Sequence, residues 1–126
     1  MIDHMSICVR DLDRATPFYE AVLETLGYSK LRTSPNSVGF GKTYPEFWIN
    51  LRAGMRPLDS DNGAHVAVRA PTTAAVDAFH AAALAAGGHS DGAPGQRPQY
   101  SPAYYAAFIR DPDGNRIEAV TFPKQD

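Results

Sequence analysis

The chain has 126 residues, enough for one domain of ordinary size, and its 12 basic and 14 acidic residues leave a formal net charge of −2. That balance gives no electrostatic reason to expect a nucleic acid or an anionic membrane as partner. The single cysteine, Cys8, excludes an intrachain disulfide and a Cys-rich zinc site; with no basic-then-apolar leader and no apolar run near the roughly 20 residues that span a bilayer, a cytoplasmic protein is expected.

The first stretch, IDHMSICVR (2–10), alternates in the manner of a strand. Met5, Ile7 and Val9 share one face; His4, Ser6 and Cys8 share the other. Residues 11–28 read as a helix that Asp11 or Asp13 can cap. Pro17 is placed in about its first turn, Phe18, Val22 and Leu26 recur at four-residue spacing, and Gly27 stops it. Three short strands follow in SKLRT, SVGFGK and EFWINLR. The segment AGMRPLDSDNG (53–63) is polar and rich in turn formers, and reads as a linker.

After the linker the pattern restarts. AHVAVRA (64–70) is a strand, and 71–88 is a helix opened by Pro71 with Thr72 or Thr73 and closed by Gly87-Gly88. DGAPGQRPQYSP (91–102) reads as a Pro/Gly-rich loop with room for a short strand inside it. YYAAFIR (104–110) and NRIEAV (115–120) form a hairpin around Asp111-Pro112-Asp113-Gly114-Asn115, where every position suits a turn. Setting His4 over His65, an offset of 61 (65 − 4), also superposes Phe18 on Phe79, Leu23 on Leu84 and Gly27 on Gly88. The chain is read as a duplication of a β-α-β-β-β unit, with module one at about 1–53, a linker at about 54–62 and module two at about 63–126. A half of about 60 residues buries a poor core alone, so the two halves are expected to form a single domain.

One residue in the last strand is out of place. Ile117, Ala119 and Thr121 lie on one face, but Glu118 shares the other with Arg116 and Val120. A buried, ionised carboxylate needs a partner or a metal. Aligning Ile49 with Ile117 puts Asn50 over Glu118, with about seven extra residues in the second module. The repeat then offers His4 with Asn50, and His65 with Glu118. Two imidazoles and one carboxylate make a good site for a divalent ion (Fe, Zn, Ni, Mn or Co) that keeps open positions for substrate.

DHMSICVRDLDRATPFYEAVLETLGY, the second His at the start of the second half, and DPDGNRIEAV at the end together resemble the vicinal oxygen chelate superfamily, which includes glyoxalase I, extradiol dioxygenases and the fosfomycin and bleomycin resistance proteins. The resemblance covers essentially the whole chain. It implies an α+β fold in which two βαβββ modules form a U-shaped, barrel-like sheet around a metal held by His4, His65 and Glu118. It also implies a metal-dependent lyase, isomerase or dioxygenase in which the ion chelates two neighbouring oxygens of a small-molecule substrate and Glu118 serves catalysis. The glyoxalase I pattern has a fourth ligand, a Glu, at the place aligned here with Asn50. The alternative is a small-molecule-binding or drug-sequestering protein that performs no turnover.

The remaining expectations concern substrate and assembly. Tyr104 and Tyr105 face opposite ways, so one points inward and can donate to a substrate oxygen. Arg97, in a loop expected to act as a lid, can clamp a substrate anion. Asn50 stands beside the site as a further substrate contact. Proteins of this family and length are commonly homodimers, with modules paired within a chain or exchanged between chains.

Overall fold

The computed structural model describes residues 1–124. It contains both expected βαβββ modules. The first comprises β1 (Met5–Val9), α1 (Leu12–Glu24), β2 (Ser29–Ser34), β3 (Ser37–Gly41) and β4 (Pro45–Leu51). The second comprises β5 (Val66–Arg69), α2 (Thr73–Ala85), β6 (His89–Gln96), β7 (Tyr105–Arg110) and β8 (Arg116–Thr121). Each builds a four-stranded mixed sheet of matching order, β1-β4-β3-β2 and β5-β8-β7-β6, in which the first and last strands run parallel.

The helices show the duplication most cleanly, because α2 begins and ends 61 residues after α1 (73 − 12 and 85 − 24). The Asp11 side chain accepts the Arg14 amide at the start of α1, and Thr72 accepts that of Ala75 at the start of α2. Pro17 lies in the second turn of α1 rather than the first, so it removes one backbone bond from the helix interior. Gly27 and Gly87 take the left-handed conformation after the helices, with φ of 87° and 100°. The left-handed counterpart of Gly27 is therefore Gly87, one residue before the one the repeat aligned.

The Pro/Gly-rich stretch from 91 to 102 does enclose a strand, which fills its first half and starts earlier, at His89. β6 pairs with β7, but its register shifts between Ser90 and Gly92 and again between Gly92 and Gly95. Pro94 falls inside the second irregularity, where no continuous ladder needs its missing N–H.

Each sheet buries one face beneath its helix. Phe18, Tyr19, Val22 and Leu23 of α1, Phe40, Phe47 and Ile49 of sheet one, and Val76, Phe79, Ile109 and Ile117 of module two join in one core cluster. The modules also meet through polar bonds from the DPDGN turn. Tyr19 donates to Asp111 Oδ2 at 2.6 Å, Arg10 donates through its backbone N and its Nε to Asp113 Oδ1, and Asn115 Nδ2 donates to the Cys8 carbonyl at 2.9 Å. Asp111 is buried and also accepts from the backbone of Asp113 and Asn115 and from Asn115 Nδ2. What reads in sequence as a turn is thus also the clasp between modules. Burial, then the Asp111 charge, raises the Tyr19 phenol well above its ordinary value; burial raises Asp111 as well, against the hydrogen bonds it accepts.

Candidate functional site

The candidate residues lie mainly on the face of each sheet turned away from the helices. In module two the face is already organised around Glu118. β8 alternates Ile117 and Ala119 toward the core with Glu118 toward the open side, where it stands opposite Ala67 of β5 and Phe108 of β7. Its side chain is 2% exposed. His65, just before β5, places Nε2 3.1 Å from Glu118 Oε1 while keeping 51% of its own side chain exposed. The Tyr104 hydroxyl donates a hydrogen bond to Glu118 Oε2. Burial and that bond push the Tyr104 phenol up to about 12, so it remains a donor throughout the neutral range.

A recess of about 450 Å³ opens at this pair, lined by His65, Glu118, Tyr100, Tyr104 and Phe108 among others. Its wall is aromatic. Tyr104 meets Tyr100 at 5.1 Å and Phe122 at 5.2 Å between ring centroids, both edge to face, and the Arg69 guanidinium lies 4.6 Å from the Phe122 ring centre.

Tyr105 goes the other way. Its hydroxyl donates to Asp77 Oδ1 of α2 at 2.7 Å, on the helix side of the sheet and away from Glu118. Arg97 is folded back on its own segment. It donates to the Ala93 and Gln96 carbonyls and covers Phe108 with its guanidinium 5.4 Å from the ring centre. His80 bonds Ser90, and His89 is exposed at the start of β6.

Module one presents a different face. His4 is 57% exposed at the side chain, and its Nδ1 lies 2.7 Å from Asp3 Oδ1. It lines a recess with Tyr28, Glu46 and β5, distinct from the one at Glu118. Among the described residues, no three His, Cys, Asp or Glu side chains gather as a ready-made ion cage. One chain therefore brings His65 and Glu118 together and holds His4 apart from them.

The ladders also correct the repeat alignment. Met5 pairs with Phe47, and its counterpart Val66 pairs with Ile117, so the last strands are 70 apart (117 − 47). The second module has nine extra residues (70 − 61), not seven. The counterpart of Glu118 is Trp48; Asn50 corresponds to Val120. The two-residue slip was invisible in the sequence because side chains alternate with period two, so Trp48 and Asn50 share a face. Asn50 itself stands opposite Cys8 and shares with His65 a separate recess where β1 approaches β5.

Comparison with known proteins agrees with this architecture. The model of the Glyoxalase/Bleomycin resistance protein/Dioxygenase superfamily matches residues 1–119. The chain belongs to this superfamily. A glyoxalase/bleomycin resistance protein from Albidiferax ferrireducens T118 is 33% identical with a TM-score of 0.83, over 96% of this chain and 98% of that one. A family enzyme from Burkholderia phytofirmans PsJN (21% identity, TM-score 0.73, 97% and 98% covered) shares the fold. So does the fosfomycin resistance protein FosX from Mesorhizobium loti (21%, 0.69, 96% and 91%). No curated protein matches the chain. No helix among the described residues is long and apolar enough to cross a membrane.

Proposed function

We propose that the protein is a metal-dependent enzyme acting on a small molecule through two neighbouring oxygens, with its ion held by His65 and Glu118 of one chain and His4 of a second copy. The observation that carries the reading is the pairing of Glu118 with His65. A carboxylate that is 2% exposed faces an imidazole nitrogen at 3.1 Å, beside an open recess. Nitrogen and oxygen donors of this kind suit a borderline divalent ion. His4, at the matched place in the other module, supports the exchanged arrangement: its side chain is exposed, Asp3 engages only its Nδ1, and it faces a different recess of its own chain.

A divalent ion there would supply Lewis-acid polarisation of the substrate oxygens. The chain's own residues do the rest. Glu118 contributes the negative charge that holds the cation. Tyr104 occupies Oε2 and so leaves Oε1 as the oxygen aimed toward His65. Tyr100, Tyr104 and Phe108 give the recess an aromatic lining against which an apolar part of a substrate can pack.

Elemental analysis of protein purified without chelator tests the reading. About one divalent ion per chain, lost in Glu118→Gln and His65→Ala, is expected. A metal-free protein whose melting temperature does not respond to Zn, Ni, Mn, Co or Fe(II) would instead favour a sequestering protein, a role the aromatic recess also suits. Oxygen consumption by the Fe(II) form then separates a dioxygenase from a lyase or isomerase.

A further inference from the structure

Trp48 is the only tryptophan in the chain, and the reading above leaves it unused. It stands half-buried on the open face of β4, opposite Gly39 of β3. A methyl group at Gly39 would come within 2.9 Å of both Pro45 Cβ and Trp48 Cζ3, and 3.0 Å of Trp48 Cε3. The six-membered ring of the indole therefore lies across the sheet, in space that any other residue at 39 would fill. Gly39 is not among the glycines with positive φ, so its own backbone does not call for glycine. The space above it does.

The register gives this ring a meaning. Trp48 stands beside Ser6 as Glu118 stands beside Ala67, and Ser6 and Ala67 are 61 residues apart. An arrangement of two modules about a pseudo-twofold axis that brings His4 and His65 to one ion also brings Trp48 to the place facing Glu118. Where module two contributes an anion, module one contributes an aromatic face. Module two repeats the device beside its own recess: Phe108 stands opposite Gly92, where an added methyl group would meet Phe108 Cδ2 at 2.9 Å. Each sheet of the assembled site would then carry a ring laid along it, with the Arg97 guanidinium over Phe108 on the module-two side.

We propose that Trp48 is the platform on which the substrate stacks, and that the substrate carries its two oxygens on a planar conjugated ring rather than on an aliphatic chain. The proposal rests on the metal reading above. A ring held between the indole and the Tyr104–Phe108 wall gains both buried apolar area and offset stacking. Its plane is set by the indole, which aims its two oxygens at the ion. An aliphatic chelator gains the metal contact and nothing from Trp48.

The test compares two chelating probes by isothermal titration. One is 2,3-dihydroxynaphthalene, a planar ring with neighbouring oxygens. The other is acetohydroxamate, which offers two oxygens and no ring. Zinc content is measured first, and Trp48→Ala and Trp48→Phe should both keep the wild-type amount. Trp48→Ala should weaken the naphthalene diol by about tenfold or more in zinc-loaded and in metal-free protein, while Trp48→Phe stays within about threefold and acetohydroxamate within about twofold. Equal diol affinity in wild type and Trp48→Ala, equal weakening of both probes, or no diol binding to wild type in either form overturns the platform. Wild-type protein without zinc rejects the metal reading alone, and diol binding to the metal-free protein then decides the platform.

Discussion

The two modules are copies in fold and opposites in chemistry. Their helices keep an offset of 61 without a slip, and their sheets share one strand order. Yet at the register place where module two sets a buried glutamate between an imidazole and a phenol, module one sets a tryptophan over a glycine. Duplication preserved what the core requires and released what faces the open side. Under the proposal, the open face of one module is half of a site. The comparison can be broken at the join between modules, at module two, and at its loop.

The join should show the largest effect. Asp111 is buried and accepts from Tyr19, from Asn115 and from two backbone amides. Asp111→Ala leaves those donors unsatisfied and should cost about 3 kcal/mol of stability in a urea titration. The sign of its pH dependence follows from burial, which raises the Asp111 pKa in the folded protein above its unfolded value. Its contribution is present below the ordinary aspartate range and is lost as the pH rises through the raised value. Asp111→Asn should flatten that part of the stability profile.

Next comes module two's anion. Glu118→Gln keeps the shape of the side chain and removes its charge, and should lower zinc affinity by about a hundredfold or more, above the range of a residue that only orients a ligand. Asn50→Ala should leave zinc bound, since the ladder removes Asn50 from the place matched to Glu118. Zinc loss in Asn50→Ala equal to that in Glu118→Gln would sink the corrected alignment.

Tyr104→Phe should act more mildly, weakening zinc about tenfold because Glu118 loses the hydrogen bond that fixes its orientation. The visible spectrum of the cobalt-loaded protein should change with it, because the carboxylate is no longer held in one orientation toward the ion. An unaltered spectrum and affinity would reduce Tyr104 to a wall residue. The smallest effect is expected at Arg97, whose guanidinium is engaged by the carbonyls of its own segment and by Phe108. Arg97→Ala should leave zinc content unchanged and shift binding of an anionic substrate analogue by about threefold or less.

Much of this was legible in the sequence, for physical reasons. Hydrophobic alternation and helix spacing report directly which face is buried, so the two modules and Glu118's misplaced charge could both be read from the chain. The Tyr104 and Tyr105 pair was legible as a question, since adjacent strand residues must face opposite ways, but only packing decides which one meets Asp77. Strand register was not legible, because a slip of two residues returns every side chain to its own face. That is how Asn50 came to stand where Trp48 belongs. The clasp made by Asp111, Asp113 and Asn115 was hidden as well, because good turn formers look the same whether or not they also bond a neighbouring module. β6 showed in the sequence only as a short strand that a Pro/Gly-rich loop could enclose, because its glycines and proline break the ladder without ending it.

The central claim is that module one of one chain completes the site of module two in another. It is tested most directly by mixing two inactive variants, His4→Ala and Glu118→Ala, under conditions where chains exchange, and measuring tight zinc binding. Each variant alone should bind zinc weakly. In the mixed dimer, His4 from the Glu118→Ala chain meets intact His65 and Glu118 of the His4→Ala chain, so one tight site per mixed dimer should appear. A mixture that binds no more zinc than its parents, with mixed dimers shown to be present by mass, would contradict the account.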